Sequence, residues 1–305
     1  MLHPYRFLVP LLFLLATPAW AQRAHRDLRT PRTPGRMLVS GFESGALHAY
    51  RTSDGAPRGR VNGVPGAQSI VRGRDGLYAC AEAIDQVLLV DPETLTVVRP
   101  FVADDPLTAE DENGPLDGPT AAVFGPDGAL YVASFDNDMI LRYDGRTGAY
   151  LGVFVPSGLG GLNGPDAGTK FGPDGNLYVP SFFGDNVLRY DGRTGASMGE
   201  FIPFRSGSLR QPRDLVFHDG SWFVASSFND RVLRYDSDGV FELLFATCPR
   251  PYSLAFHPVD GNLYVVNLQG DNVRIHDGET GAFLRKAIDN GSAGLVGSTF
   301  VFFLD

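Results

Sequence analysis

The chain has 305 residues, 43% hydrophobic and 20% charged, with Gly 37, Pro 22 and Phe 22, a mixture that points to short strands joined by tight turns. Its net charge of −9 sets the overall field against a phosphate backbone, so nucleic acid is not an expected partner. Two cysteines exclude a disulfide scaffold and a Cys-rich zinc module.

Residues 1–21 read as a cleaved signal peptide. Arg6 supplies the positive start, residues 7–16 the apolar run, and Ala19-Trp20-Ala21 the small-x-small cleavage site. The run is well short of the ~20 apolar residues that a bilayer requires. The expectation is a secreted or periplasmic protein with no membrane span. Residues 22–36, rich in Arg and Pro, read as a flexible lead-in, and residues 37–305 as one domain.

That domain is repetitive. The segments beginning at Phe124 and Phe171 (FGPDGALYVASFDNDMILRYDGRTG… and FGPDGNLYVPSFFGDNVLRYDGRTG…) share 22 of 32 aligned residues, and weaker copies begin at Arg72, Phe217 and Phe256. The glycine before each Leu-Tyr-Val-like run (Gly76, Gly128, Gly175, Gly220, Gly261) recurs every 41 to 52 residues, the length of a four-stranded propeller blade. In the third unit, strand a falls at residues 120–124, b at 130–134, c at 140–143 and d at 150–155, with Gly-containing turns between a and b and between c and d. Residues 37–42, 46–50 and 58–61 match b, c and d but lack a strand a, which residues 297–305 (GSTFVFFLD) supply. The expected fold is an all-β, six-bladed propeller with four antiparallel strands per blade, closed by the C-terminal strand joining the N-terminal three.

The P-[DV]-G-x-L-Y-V … V-L-R-Y-D-G-x-T-G pattern resembles the NHL-type six-bladed propellers of secreted bacterial proteins, in the group that includes streptogramin lyases and regucalcin-like gluconolactonases. The resemblance covers essentially residues 37–305. It implies two tests for activity. Lactonase-like members hold a divalent metal on the channel axis with Glu, Asn and Asp from the starts of inner strands; here only Asp166 and Asp214 among the corresponding positions carry carboxylates. Lyase-like members use histidines near the channel, whereas His218, His257 and His276 are expected on the opposite face, His48 within a strand c, and His25 in the lead-in. Neither set is complete, so a non-catalytic protein is favoured, with a lactonase-like hydrolase or a lyase as the alternative.

Other motifs read as scaffold. Ser197 in Gly195-Ala-Ser-Met-Gly199 occupies an ordinary strand-d position without the elbow that would activate it. The glycine-rich residues 158–164 lack a βαβ setting. The acidic run Asp104, Asp105, Glu110, Asp111 and Glu112 has Ala109 and Thr120 where an EF-hand needs its first and last ligands. Asp85, Asp138, Asp185, Asp230 and Asp271 precede strand c in five units and read as turn or cap residues. Cys80 and Cys248 lie two blades apart and are expected to be buried thiols. No cofactor is expected.

Ligand recognition is expected on the face formed by the d–a and b–c connections, where the d–a loops vary in length from 4 to 16 residues. The face should be acidic beside residues 104–112 and basic beside Arg205, Arg210, Arg213 and Arg250. The candidate binding residues are Gln68, Asp166, Arg213, Asp214, Arg250 and Tyr252, with Arg213 and Arg250 flanking the channel mouth. The partner is expected to be a protein or a small molecule, and the propeller a monomer.

Overall fold

The structure, a computed structural model, describes residues 35–103 and 114–304. The signal peptide, nearly all of the lead-in and the acidic run lie outside the described residues. The described chain forms 24 strands in six antiparallel sheets of four. Blade 1 joins β24 (Ser298–Leu304) to β1 (Arg36–Gly41), β2 (Ala46–Arg51) and β3 (Pro57–Asn62). Blade 2 is β4 (Ala67–Arg72), β5 (Leu77–Ala81), β6 (Gln86–Asp91) and β7 (Thr96–Val102); blade 3 is β8 (Pro119–Phe124), β9 (Leu130–Ser134), β10 (Met139–Tyr143) and β11 (Tyr150–Val155). Blade 4 is β12 (Lys170–Phe171), β13 (Leu177–Ser181), β14 (Asn186–Tyr190) and β15 (Ser197–Ile202). Blade 5 is β16 (Pro212–His218), β17 (Ser221–Ser226), β18 (Arg231–Tyr235) and β19 (Phe241–Thr247), and blade 6 is β20 (Pro251–Phe256), β21 (Leu263–Asn267), β22 (Asn272–His276) and β23 (Phe283–Ile288). The six-bladed propeller expected from the repeats is therefore present, and among the described residues there is no helix beyond three-residue 3-10 turns. No helix among the described residues is long and apolar enough to cross a membrane.

Burial explains the strand sequences. Strands b such as β9 and β13 are buried at every residue, and β1 at all but Arg36, whereas β15 and β23 at the blade rim are exposed over their first four. An aromatic residue on strand b fills each of several blade interfaces. Tyr78 lies between Phe101 of its own blade and Phe124 of the next, with ring centroids 4.6 and 5.1 Å away. Tyr131 lies in the same way between Phe154 and Phe171, and Phe223 between Phe245 and Phe256. Edge-on contacts of this kind add to apolar burial. The c–d turns repeat as faithfully: Asp144, Asp191 and Asp277 each accept two backbone N–H groups and a threonine hydroxyl. Gly195 closes one of these turns at φ +73, where a Cβ would stand 2.1 Å from the Phe154 carbonyl of the preceding blade, so the position demands glycine on two counts.

The recurring aspartates before strand c tie one blade to the next. Asp85, Asp138, Asp185, Asp230 and Asp271 all have positive φ, between 46 and 62. Their Oδ1 atoms accept from the backbone N–H of Gly118, Gly164, Gln211, Arg250 and Gly297 at 2.6–2.8 Å. Each clamp thus fixes the entrance to the next innermost strand. A charge-assisted hydrogen bond contributes about 1.5–3 kcal/mol, and Asp tolerates the left-handed region better than Ala. Asp138→Ala is therefore expected to destabilise the fold by about 2–3 kcal/mol in a urea titration, and Asp138→Gly by less, since glycine relieves the backbone while losing the same bond.

Ring closure follows the expected pairing: Met37 faces Phe303, Leu38 faces Phe302 and Val39 faces Val301. Phe303 also packs against Tyr264 of blade 6 at 5.0 Å, the equivalent of the Tyr–Phe contacts at other blade interfaces. Blade 4 departs from the pattern. Its segment from Gly164 to Pro173 is one residue longer than Gly118 to Pro126 of blade 3. The extra residue reduces strand a to β12 and the isolated Pro165–Ser181 bridge. The inserted stretch folds back, with the Thr169 N–H and hydroxyl both donating to the Asp166 carbonyl at 2.9 Å. Cys80 and Cys248 are both buried and unpaired, and burial pushes each thiol up to about 12, so both are protonated and unreactive in the folded protein.

Candidate ligand site at the channel mouth

Two rings of side chains, each with one residue per blade, meet at the end of the channel where the d–a and b–c connections emerge. The first ring is the second residue of each innermost strand or its entrance: Gln68, Thr120, Asp166, Arg213, Tyr252 and Thr299. The second is the first residue after each strand b: Phe42, Glu82, Phe135, Phe182, Ser227 and Leu268. Ten of these twelve, all except Asp166 and Ser227, line a cavity of about 420 Å³, joined by Glu43, Phe183 and Gly297. Clefts for small ligands range over about 300–1,000 Å³ and combine apolar walls with a few convergent polar groups.

The polar side is built on Arg213. Its Nη1 donates to Asp166 Oδ2 at 2.8 Å and to Tyr252 Oη at 3.0 Å, and its guanidinium stacks on the rings of Phe182 at 4.1 Å and Tyr252 at 4.4 Å. Planar stacking and a forked donor are what distinguish Arg from Lys here. Asp166 is fully buried and also accepts from the Ala167 N–H at 2.7 Å. Desolvation pushes its carboxyl above the ordinary value, with the Arg213 charge opposing that shift. Burial likewise pushes the Tyr252 phenol up.

Across the cavity stands Glu82, in the b–c connection of blade 2. It occupies the position held by Phe42, Phe135, Phe182 and Leu268 in four other blades. Its side chain accepts a hydrogen bond from Gln68 Nε2. Desolvation, more than any neighbouring charge, lifts its carboxyl to about 7. In the folded state Glu82 therefore holds a proton between pH 4.5 and 7 that the unfolded chain releases. Its contribution to stability is present below pH 4.5 and is lost as the pH rises through 7. Glu82→Gln should flatten this slope and raise stability at pH 8 by about 1–2 kcal/mol, a value discounted for the side chain's partial exposure; thermal unfolding from pH 4 to 8 reads it.

The structure thus brings Gln68, Arg213 and Tyr252 into the cavity wall, with Asp166 behind Arg213. The other two candidates do not line the cavity. Asp214 is fully buried and engaged elsewhere, accepting from Lys170 Nζ at 3.0 Å and from the Leu254 N–H at 2.9 Å; adjacent strand residues diverge, so it does not share Arg213's direction. Arg250 is exposed and does not line the cavity, and its backbone at φ 42 is held by the Asp230 clamp. Arg205 and Arg210 both pair with Asp185, at 3.1 and 2.9 Å. The sequence reading missed Glu82 and the aromatic wall. The available signal was the second blade's carboxylate at a position where four other copies carry Phe or Leu.

None of the described histidines lines the cavity. His218 stacks on Phe256 at 3.8 Å, His257 packs against Phe303, and His48 and His276 are buried in strands, with desolvation lowering the latter two.

No family model and no curated protein matches the chain. Among solved structures, the crystal structure of a protein of unknown function from Bacteroides caccae matches with TM-score 0.61 and 14% identity, over 88% of this chain and 98% of that one. A chain in the crystal structure of a nidogen/laminin complex matches with TM-score 0.65 and 13% identity, over 87% of this chain and 97% of that one. At these identities the likeness is one of fold, and it agrees with the six blades of four strands described above.

Proposed function

We propose that the protein is a secreted or periplasmic propeller of the NHL-like kind that binds a small organic molecule in its axial cavity without transforming it. The observation that carries this reading is the cavity itself. Side chains from all six blades converge on about 420 Å³ of space, and five of them are aromatic. A repeated scaffold would produce identical rings; here the first ring carries five residue types at six positions, and Glu82 and Ser227 interrupt the Phe and Leu of the second. The catalytic alternative fits less well. Asp166 and Asp214, the carboxylates available for an axial divalent metal, are held by Arg213 and Lys170 respectively, so a metal would have to displace a resident cation at each. Among the described residues no group of three or more His, Cys, Asp or Glu side chains is placed to hold a metal.

The test is titration calorimetry with neopentylbenzene, a neutral phenyl-alkyl probe, on the wild-type protein and on Leu268→Trp, which fills the cavity from its rim. Saturable binding that weakens by about tenfold or more in Leu268→Trp supports the reading; equal binding by both proteins places the probe elsewhere and refutes it.

A second reading draws on three exposed phenylalanines. Phe183, Phe204 and Phe228 are 58%, 56% and 55% exposed on the connections of blades 4 and 5, and Arg205 and Arg210 stack on the latter two. Aromatic and Arg side chains are the usual anchors of protein interfaces. A protein partner on this rim is compatible with a ligand in the cavity, and the nidogen/laminin complex is one precedent for such a propeller within a protein assembly.

A further inference from the structure

If the axial cavity holds a small organic molecule, its charge pattern narrows the class. Among the described residues Arg213 is the one cationic side chain lining it, and its charge is already matched: Asp166 neutralises it, Tyr252 accepts a further bond from Nη1, and Phe182 and Tyr252 stack on it, while its buried Nε has no hydrogen-bond partner. Glu43 and Glu82 line the same cavity, and among the described residues neither forms an ion pair. No described Arg or Lys stacks on Phe42, Phe135 or Phe183. Gln68 adds an independent sign of a missing partner. It is 3% exposed, lines the cavity, donates through Nε2 to Glu82, and its Oε1 has no hydrogen-bond partner.

Aromatic rings beside an uncompensated carboxylate favour a cation, through the ring quadrupole and the carboxylate charge together. We propose that the cavity selects an organic monocation with an apolar body, its charge seated beside Glu82 and the rings of Phe42 and Phe135, and any N–H directed at Gln68 Oε1. This rests on the cavity reading above and goes beyond it by fixing the ligand's charge.

The proposal carries a pH signature. The charged and titratable groups facing Glu82 are Cys80 on β5, Asp136 from blade 3, Asp166 from blade 4, Arg213 on β16 and Tyr252 on β20, with Glu43 of blade 1 on the same cavity. Arg213 alone among them favours the ionised form. Glu82 is therefore largely protonated below about 7 in the free protein, and a bound cation selects its ionised form. Binding should release a proton in acid solution, and affinity should rise with pH to a plateau above 7.

Three probes of one shape separate the possibilities: benzyltrimethylammonium, its carbon isostere neopentylbenzene, and phenylmethanesulfonate. At pH 8 the cation is expected to bind about tenfold or more tighter than the isostere. Its affinity should fall about tenfold per pH unit well below 7, with close to one proton released per cation bound at pH 5.5 in calorimetry. The isostere should show neither effect. Glu82→Gln should abolish both the pH dependence and most of the cation's advantage while leaving the isostere within about twofold. Equal binding of isostere and cation, or tighter binding of the sulfonate, would overturn the cation assignment and leave the cavity reading standing. Absence of binding by all three would overturn both.

Discussion

Cutting the chain after Val296 is expected to leave no stable monomer. The lost residues form β24, whose Val301 and Leu304 are buried and whose Phe300, Phe302 and Phe303 are partly buried. At about 1.5–3 kcal/mol for each fully buried apolar side chain and roughly half that for the others, the deleted strand contributes on the order of 5–10 kcal/mol, comparable to the whole stability of an ordinary domain, about 5–15 kcal/mol. The loss is also topological. β1 would keep only β2 as a neighbour, exposing an unpaired edge at which another chain can add, and Tyr264 would lose the Phe303 ring. Size-exclusion chromatography and circular dichroism should show an unfolded or associated product. Phe303→Ala, which keeps the strand, should remain monomeric and lose about 2–3 kcal/mol.

The second large effect is expected at Arg213. Replacement by Met keeps much of the side-chain volume but leaves Asp166 buried without its cation, and breaking a buried pair in this way costs about 3–5 kcal/mol. The sign with pH follows from Asp166. Its folded-state carboxyl already lies above the ordinary value through desolvation, and removing Arg213 raises it further. A group raised in the folded state supports stability below its unfolded value and loses that support as pH rises through the folded one. The penalty in Arg213→Met should therefore be larger at pH 8 than at pH 5. Asp166→Asn combined with Arg213→Met should recover most of it, because no buried charge then remains. Denaturant midpoints of the two single variants and the double variant at both pH values give the cycle.

The fold was legible because each blade repeats its own instructions. Leu-Tyr-Val marks a strand buried on both faces, Asp-Gly-Arg-Thr-Gly a c–d turn, and GSTFVFFLD the one strand missing from the first blade. The five aspartates before strand c could be read as structural from recurrence alone, although their partners, the N–H groups at the next blade's entrance, lie 20 to 33 residues away. The site was legible only in part. Gln68, Arg213 and Tyr252 stood out because they hold one repeated position with different chemistry. Asp214 and Arg250 did not join them: sequence adjacency to Arg213 and Tyr252 is not spatial adjacency where strand side chains alternate and a positive φ redirects the chain. Glu82 lay in a short connection that resembled a plain turn. Its importance comes from desolvation by side chains on other blades, which no local pattern encodes.

The most direct test of the axial site is a crystal structure with a 4-bromo derivative of benzyltrimethylammonium, whose bromine can be located by anomalous scattering. A single strong peak is expected inside the ring of Phe42, Phe135 and Phe183, with the ammonium beside Glu82. A peak confined to the rim at Phe204 and Phe228, or an empty cavity at a concentration that raises the melting temperature, would contradict it.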